Sequence, residues 1–462
     1  MTDPTRPPAP AGQEHVVDLA VVGGSVLTPA GFRAGMTVLV DDGVIAGIED
    51  GETPVRARRV IRADRSAVIP GFVDSHTHIA SNVMLRGLLE DTELFAWLDT
   101  MWRMKRLFDH ETLELASLCG LIEMARSGIT CFNEHFDGYA VRPQTRALEQ
   151  VRLRATLGYG FADGGVYADV GTWSWWAVES FDEATAGVEA DGDRVRLGIS
   201  PHAVYSCSPE LWRATRELAT ERGLIIHTHV AEGMREQQFM ESTYGMTTVA
   251  WLDSLGVLGP DVTAAHCTQL SASDIAVLAE RGVKVAHCPV CNEKLVSGRM
   301  DLKALIGAGV TVGLATDGPA SHNTLDMFEE MKFAANIHKG AYLDPTFLTA
   351  SELLHLATAG SARAMHRPEL GTLTPGAPAD LVVVDLDRAH TAPAYDVANA
   401  LVYCSRADDV THTVVAGTVV FDGEVVGVDE ERTLALLRER AYALRDRVSD
   451  RASDRAGAGS SR

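Results

Sequence analysis

The chain is 462 residues long with a formal net charge of -22, an acidic excess that excludes a nucleic-acid or anionic-membrane surface, since both need a basic face. Its apolar share supports a sizeable core, its length suits one large barrel plus an accessory unit, and no apolar run reaches the roughly 18 residues of a membrane span. Seven cysteines, odd in number, scattered and without a secretory signal, point to reduced thiols in a cytoplasm.

In chain order, residues 1–14 read as a Pro-rich disordered leader, without the basic-then-apolar order of a signal peptide. Residues 15–66 hold short strand-like runs with Gly-rich turns, such as VVDLAVVGGSVLT and MTVLVDDGVIAGIE. The same style returns at 372–430 in ADLVVVDLD and HTVVAGTVVFDGEVV, which predicts one small β-sandwich built from both ends of the chain. Between them, residues 67–371 alternate apolar, β-branched runs with helix-like stretches. The runs are AVIPGFVDSH, GITCFNEH, RATLGYGFAD, VRLGISPH, LIIHTHVAE, VTAAHC, VKVAHCP and VTVGLATD. Ala67 to Val73 reads as the first buried strand, punctuated by Pro70-Gly71. Among the intervening helices, SASDIAVLAERG starts with Ser271 as N-cap. Such an α/β alternation predicts a (β/α)8 TIM barrel, with its chemistry at the C-terminal strand ends. Residues 431–462 read as a C-terminal helix and a disordered, polar tail.

Titratable residues gather on those strand ends: His76, His78, Glu134, His135, His202, His229, His266, His287 and Asp317. Histidines scattered through a core would not fall there. Alternate residues of a strand face one side, so His76 and His78 can aim two imidazoles at one point. With His229 and Asp317 they make a donor set for one divalent ion, zinc by ligand type and iron as the second choice. His227 alternates with His229, and spacing alone does not say which of the two is the ligand. In HTHVAE, Glu232 follows His229 by three residues and can return over the site as a proton carrier. His287 reads as a pocket or core histidine, and Cys288-Pro-Val-Cys291, lacking a second pair, as small buried thiols near the pocket.

PGFVDSHTH, HTHVAE, AAHC, HCPVCNEKLVSG and ATDGPASHNTLDMFEEMKFAA, in this order, resemble the amidohydrolase superfamily over roughly residues 17 to 430. The branch they are most similar to is the cytosine/adenosine-deaminase-like group, which includes methylthioadenosine and S-adenosylhomocysteine deaminases. The resemblance implies that His76, His78, His229 and Asp317 carry the metal, and that Glu232, His266 and Asp317 are catalytic. The fourth strand end, SPHAVYS, has no lysine of the kind that bridges two metals, so one ion is expected. The implied reaction is hydrolytic deamination of an aminated N-heterocycle, an adenosine-derived nucleoside or related base. A hydroxide generated on the metal attacks the amino-bearing ring carbon. Glu232 moves the water proton to the adjacent ring nitrogen, Asp317 delivers the second proton to departing ammonia, and His266 steadies the attacking oxygen.

The resemblance also implies substrate contacts, and some are altered. His202 keeps the family's substrate-contacting histidine. Where the family has an acidic residue for the ribose hydroxyls, TMWRMKRLF offers Arg103, Lys105 and Arg106. Tyr159 and Val166 stand where related enzymes have arginines for a carboxylate. Trp102 and Trp175, the latter in GTWSWW with Trp173 and Trp176, are candidates for stacking on a flat ring, and His322 stands close to Asp317 as a further substrate contact. A small-molecule substrate and a homo-oligomer are expected. Two other readings compete: a triazine-type hydrolase releasing chloride or an alkylamine, and a non-catalytic barrel scaffold.

Overall fold

The computed structural model describes residues 16–51, 55–135, 141–165, 181–188 and 193–459. Eight parallel strands form the central sheet: β6 (Phe72–Thr77), β7 (Ile129–His135), β8 (Arg154–Phe161), β9 (Val195–Pro201), β10 (Ile225–Val230), β11 (Val262–His266), β12 (Lys284–His287) and β13 (Val312–Leu314). Each of the eight expected runs contributes one of them. Their ladder runs in chain order from β6 to β13, and a parallel bridge between Thr77 and Asp317 brings the two ends together. Strands β6, β7 and β8 are buried along their whole length, as barrel strands covered on both faces must be. The helices between them take ordinary capping. Ser271 accepts from the Asp274 amide in a reciprocal capping box, as its sequence predicts.

Both chain ends build a second sheet, from β1 (Val17–Thr28), β2 (Gly31–Asp41), β3 (Val44–Asp50), β4 (Ala57–Arg62) and β5 (Ser66–Pro70) with β14 (Leu381–Asp385), β15 (Val410–Val415), β16 (Thr418–Asp422) and β17 (Glu424–Val425). All nine belong to one hydrogen-bonded sheet. The seam joining the two ends is the antiparallel pairing of β5 with β14. The sheet has its own apolar cluster, which includes Leu19, Val38, Ile45, Val68, Leu381 and Val414. A long helix, Glu430–Gly459, ends the described chain and runs through much of the segment that reads as a polar tail. Arg and Ala favour helix there.

The run Ala67 to Val73 is not one strand. Residues up to Pro70 pair in the second sheet, and the barrel begins at Phe72. Gly71 makes the handover possible: a Cβ there would lie 2.1 Å from Thr130 Oγ1 and 2.6 Å from Thr130 Cβ, so only glycine leaves room for the Thr130 side chain.

A buried ion pair ties the sheets together. Arg154 Nε on β8 donates to Asp380 Oδ2 at 2.6 Å and its Nη2 to Oδ1 at 3.2 Å, with side chains 8% and 3% exposed. The Asp380 carbonyl accepts from Gly71 N at 3.0 Å. Asp380→Ala would leave the guanidinium buried without its carboxylate. We expect it to destabilise the protein by about 3–5 kcal/mol, read as a lower urea midpoint at unchanged slope. A loss below about 1 kcal/mol, the range of an exposed pair, would show that the pair holds nothing together.

Candidate metal centre and active site

The metal-site candidates come from the first, fifth and eighth strand ends. His76 lies in β6 and His78 just past it, one alternation apart. Asp317 follows β13 in a left-handed backbone conformation (φ 58°). Its amide donates to the His76 carbonyl at 3.0 Å, and Thr77 Oγ1 donates to its carbonyl at 2.9 Å. These contacts place Asp317 Oδ1 3.2 Å from His76 Nε2 and 3.4 Å from His78 Nε2. The other carboxylate oxygen, Oδ2, accepts from Ser321 Oγ at 2.6 Å and Cys291 Sγ at 2.7 Å. One oxygen is thus held by the protein and one faces the imidazoles. Gly318 beside it has no room for a side chain, because a Cβ would meet Asn82 Nδ2 at 2.0 Å.

The imidazoles are oriented from behind. His76 Nδ1 stands 2.8 Å from His227 Nε2, His229 Nδ1 2.8 Å from the His202 carbonyl oxygen, and His266 Nδ1 2.9 Å from Asn292 Oδ1. Each contact turns the ring's Nε2 inward. His78 Nε2 and His229 Nε2 are 3.2 Å apart, and the buried His76 Nε2 faces Asp317 Oδ1. This resolves the alternation that spacing left open: His229 faces the centre, and His227 stands behind His76. Ligand atoms of His76, His78 and Asp317 lie within 4.8 Å of one another, as do those of His76, His229 and His266. Inward nitrogens beside a carboxylate oxygen, with outer atoms already engaged, fit one divalent ion. Protonation agrees with this. Burial pushes His76 down to about 3 and His229 well below the usual imidazole range, so both rings are neutral at pH 7. Burial pushes Asp317 up, but the hydrogen bond to His76 and the neighbouring imidazoles outweigh it and hold the carboxyl well below its usual range.

Glu232 stands beyond β10 on a turn held by Glu236, whose carboxylate accepts from the Ala231 and Glu232 amides at 2.8 and 2.9 Å. Its Oε1 is 4.0 Å from His266 Nε2. Burial, reinforced by the Asp317 and Glu236 charges and opposed by His266, raises it to about 7. His78, His202, His229, Glu232, His266 and Asp317 all line one cavity of about 30 Å3. It adjoins a second cavity of about 340 Å3 that shares Trp97 and Leu295 with it. His202 therefore meets its expectation as a cavity residue, with Nδ1 2.8 Å from Ser206 Oγ.

Other sequence expectations are not brought here. His322 is fully buried with Nε2 3.1 Å from Glu330 Oε1, turned to the core rather than the cavity. Trp102 is buried but absent from the lining; Trp97, Leu98, Met101 and Lys105 on the same helix, Leu94–Lys105, supply the wall instead. These four span about 100° of the helix surface, and Trp102 falls just past Leu98 at the edge of that face. Tyr159 is buried within the barrel. Trp173, Trp175, Trp176 and Val166 lie outside the described residues. His287 is a core residue, its Nε2 2.8 Å from His338 Nε2. Glu134 caps the turn after His78 by accepting from the Ile79 and Ala80 amides. His135, never singled out as a ligand, packs with its ring centroid 4.2 Å from that of His229, and its ligand atom groups with those of His78 and His229. Position at a strand end is the only sequence signal that marks it.

A model of the amidohydrolase family matches residues 67–420. The chain is 36% identical over 431 residues to a 5'-deoxyadenosine deaminase of Methanothermobacter thermautotrophicus, covering 92% of this chain and 98% of that protein. It is 35% identical over 445 residues to a 5-methylthioadenosine/S-adenosylhomocysteine deaminase of Pelotomaculum thermopropionicum, covering 94% and 100%. Among solved structures, an adenosine deaminase from Xanthomonas campestris with bound zinc superposes with a TM-score of 0.87 at 31% identity, covering 95% of this chain and 100% of that one.

Proposed function

The chain belongs to the amidohydrolase family, and on that premise we propose that it is a metal-dependent hydrolytic deaminase of an aminated N-heterocycle, an adenosine-derived nucleoside or related base. One observation carries the reading: the inward imidazoles of His78, His229 and His266 and the carboxylate of Asp317 line the same cavity as the raised carboxyl of Glu232. His76, His78, His229 and Asp317 would hold one divalent ion, with zinc the ion bound in the Xanthomonas structure. Such an ion supplies Lewis acidity, lowering the pKa of a water it holds from about 16 to about 7.

The protein's own groups do the rest. Glu232 takes a proton from the attacking water and passes it to the ring nitrogen beside the reacting carbon. His266, its Nδ1–H donated to Asn292 Oδ1, accepts the second O–H of the attacking water at Nε2 and steadies it. A carbon–oxygen bond forms, Asp317 takes the remaining proton of the attacking oxygen and hands it to the amine, and the carbon–nitrogen bond breaks so that the amine leaves as ammonia. Burial of the site keeps these groups out of bulk water, where their interactions would be weaker.

Because Glu232 must be ionised to accept a proton and is raised to about 7, kcat/KM is expected to fall as pH drops through neutrality and to level off above it. A bound cation would draw that inflection lower. A rate that rises on acidification would contradict the assignment.

The substrate test is ammonia release by metal-loaded enzyme from adenosine, 5'-deoxyadenosine, methylthioadenosine, free purines, pyrimidines, pterins and aminotriazines. Release from at least one of them is expected. Chloride or alkylamine release without ammonia would instead favour the triazine-hydrolase alternative. We further propose a cytoplasmic homo-oligomer. All seven cysteines are free, in keeping with a reducing compartment, and no described helix is long and apolar enough to cross a membrane.

A further inference from the structure

His135 closes β7 at 1% exposure, and neither of its ring nitrogens has a hydrogen-bond partner among the described residues. Burying a polar ring without partners is costly, and a phenyl ring would fill the same space without that cost. Its neighbours are imidazoles: its ring centroid lies 4.2 Å from that of His229 and 5.1 Å from that of His78. Donor atoms of His78, His135 and His229 all fall within 4.8 Å of one another. Metal–nitrogen bonds of about 2.0–2.1 Å set two donors on one ion about 3–4 Å apart, so small ring rotations close this set. His229 is already turned for it, because its Nδ1 faces the His202 carbonyl oxygen and its Nε2 faces His78. The other set that contains His78 reaches His76 and Asp317 instead. His78 therefore stands between two groups of donors, one with a carboxylate and one made of imidazoles only.

We infer that His78, His135 and His229 form a second seat for a divalent ion, alternative to the catalytic one because the two share His78 and His229. Three imidazoles without a carboxylate favour an ion late in the divalent series, and copper(II) binds nitrogen donors most tightly of that series. An ion in this seat has exchanged His76 and Asp317 for His135, so it is parted from the carboxylate that serves the reaction. The seat holds copper without turnover and leaves zinc to the set that contains Asp317. It rests on the metal centre proposed above and is independent of which heterocycle the enzyme takes.

The test titrates metal-free protein with zinc or copper(II) against a competing chelator, in a Cys404→Ser background that removes the exposed thiol. His135→Phe should weaken copper by more than about 100-fold and zinc by less than about threefold, and Asp317→Asn should do the reverse. The EPR spectrum of bound copper should change in His135→Phe and not in Asp317→Asn. Copper weakened by Asp317→Asn at least as much as by His135→Phe, or a copper form that releases ammonia at the zinc rate, would overturn the inference and leave the zinc centre intact. Should His135→Phe fail to fold, Asp317→Asn decides alone: copper retained supports the second seat, and copper lost places the ion on the catalytic one. Zinc indifferent to Asp317→Asn would overturn the proposed centre itself, and the second seat with it.

Discussion

Glu232→Gln is expected to lower kcat by about 10²- to 10⁴-fold, the usual contribution of a positioned proton carrier, while leaving bound metal and thermal stability close to wild type. The substitution keeps the shape of the side chain and removes its ability to take a proton. Nothing in the donor set depends on it: Glu232 Oε1 is 4.0 Å from His266 Nε2, and the turn that carries it is held by Glu236 through main-chain amides. Because burial already raises the Glu232 carboxyl to about 7, exchanging it for a neutral amide should relieve rather than strain the fold. Metal content by elemental analysis, melting temperature and kcat should therefore separate cleanly. Turnover within about threefold of wild type would remove Glu232 from the proton path, and loss of metal together with activity would make it part of the ion's support.

His229→Ala is expected to lower metal affinity by more than about 100-fold and to abolish turnover at ordinary metal concentration, whereas His227→Ala should cost about 10- to 100-fold in affinity, as the loss of a supporting contact does. The two residues alternate on one strand and differ in what they face. His229 Nε2 points to His78 Nε2 at 3.2 Å, and His227 Nε2 bonds the back of His76 at 2.8 Å. Competition with a chromogenic chelator measures both affinities on one scale. Should the His227 variant bind metal more weakly than the His229 variant, the ligand and its support would have to be exchanged.

The contrast shows what a chain of residues makes legible and what it hides. Barrel strands announce themselves through β-branched apolar runs, and polar groups at their ends mark the chemistry, so His76, His78 and Asp317 stand out in the residue pattern itself. A period of two cannot rank His227 against His229, because both point to the same side and only the carbonyl of His202 and the ring of His76 decide between them. Nor can apolarity say which sheet a strand joins: Ile69 and Phe72 are equally buried, yet the first belongs to the second sheet and the second to the barrel. His322 sits five residues past Asp317 but turns to Glu330 on the helix Met327–Tyr342, a partner that distance along the chain does not reveal. Trp102 attracts notice by its size, while helical geometry gives the cavity to Trp97, Met101 and Lys105. In the sequence Lys105 is visible only as a missing carboxylate; its burial on the cavity wall is a fact of packing.

The most direct test of the whole account is a titration of metal-free protein with zinc, following ammonia release from the best substrate of the panel against equivalents of bound metal. Activity should be absent without metal, rise linearly, and reach its plateau at one equivalent per chain. Full activity in protein shown to be metal-free, or a plateau that requires a second equivalent, would contradict a single hydrolytic centre built from His76, His78, His229 and Asp317.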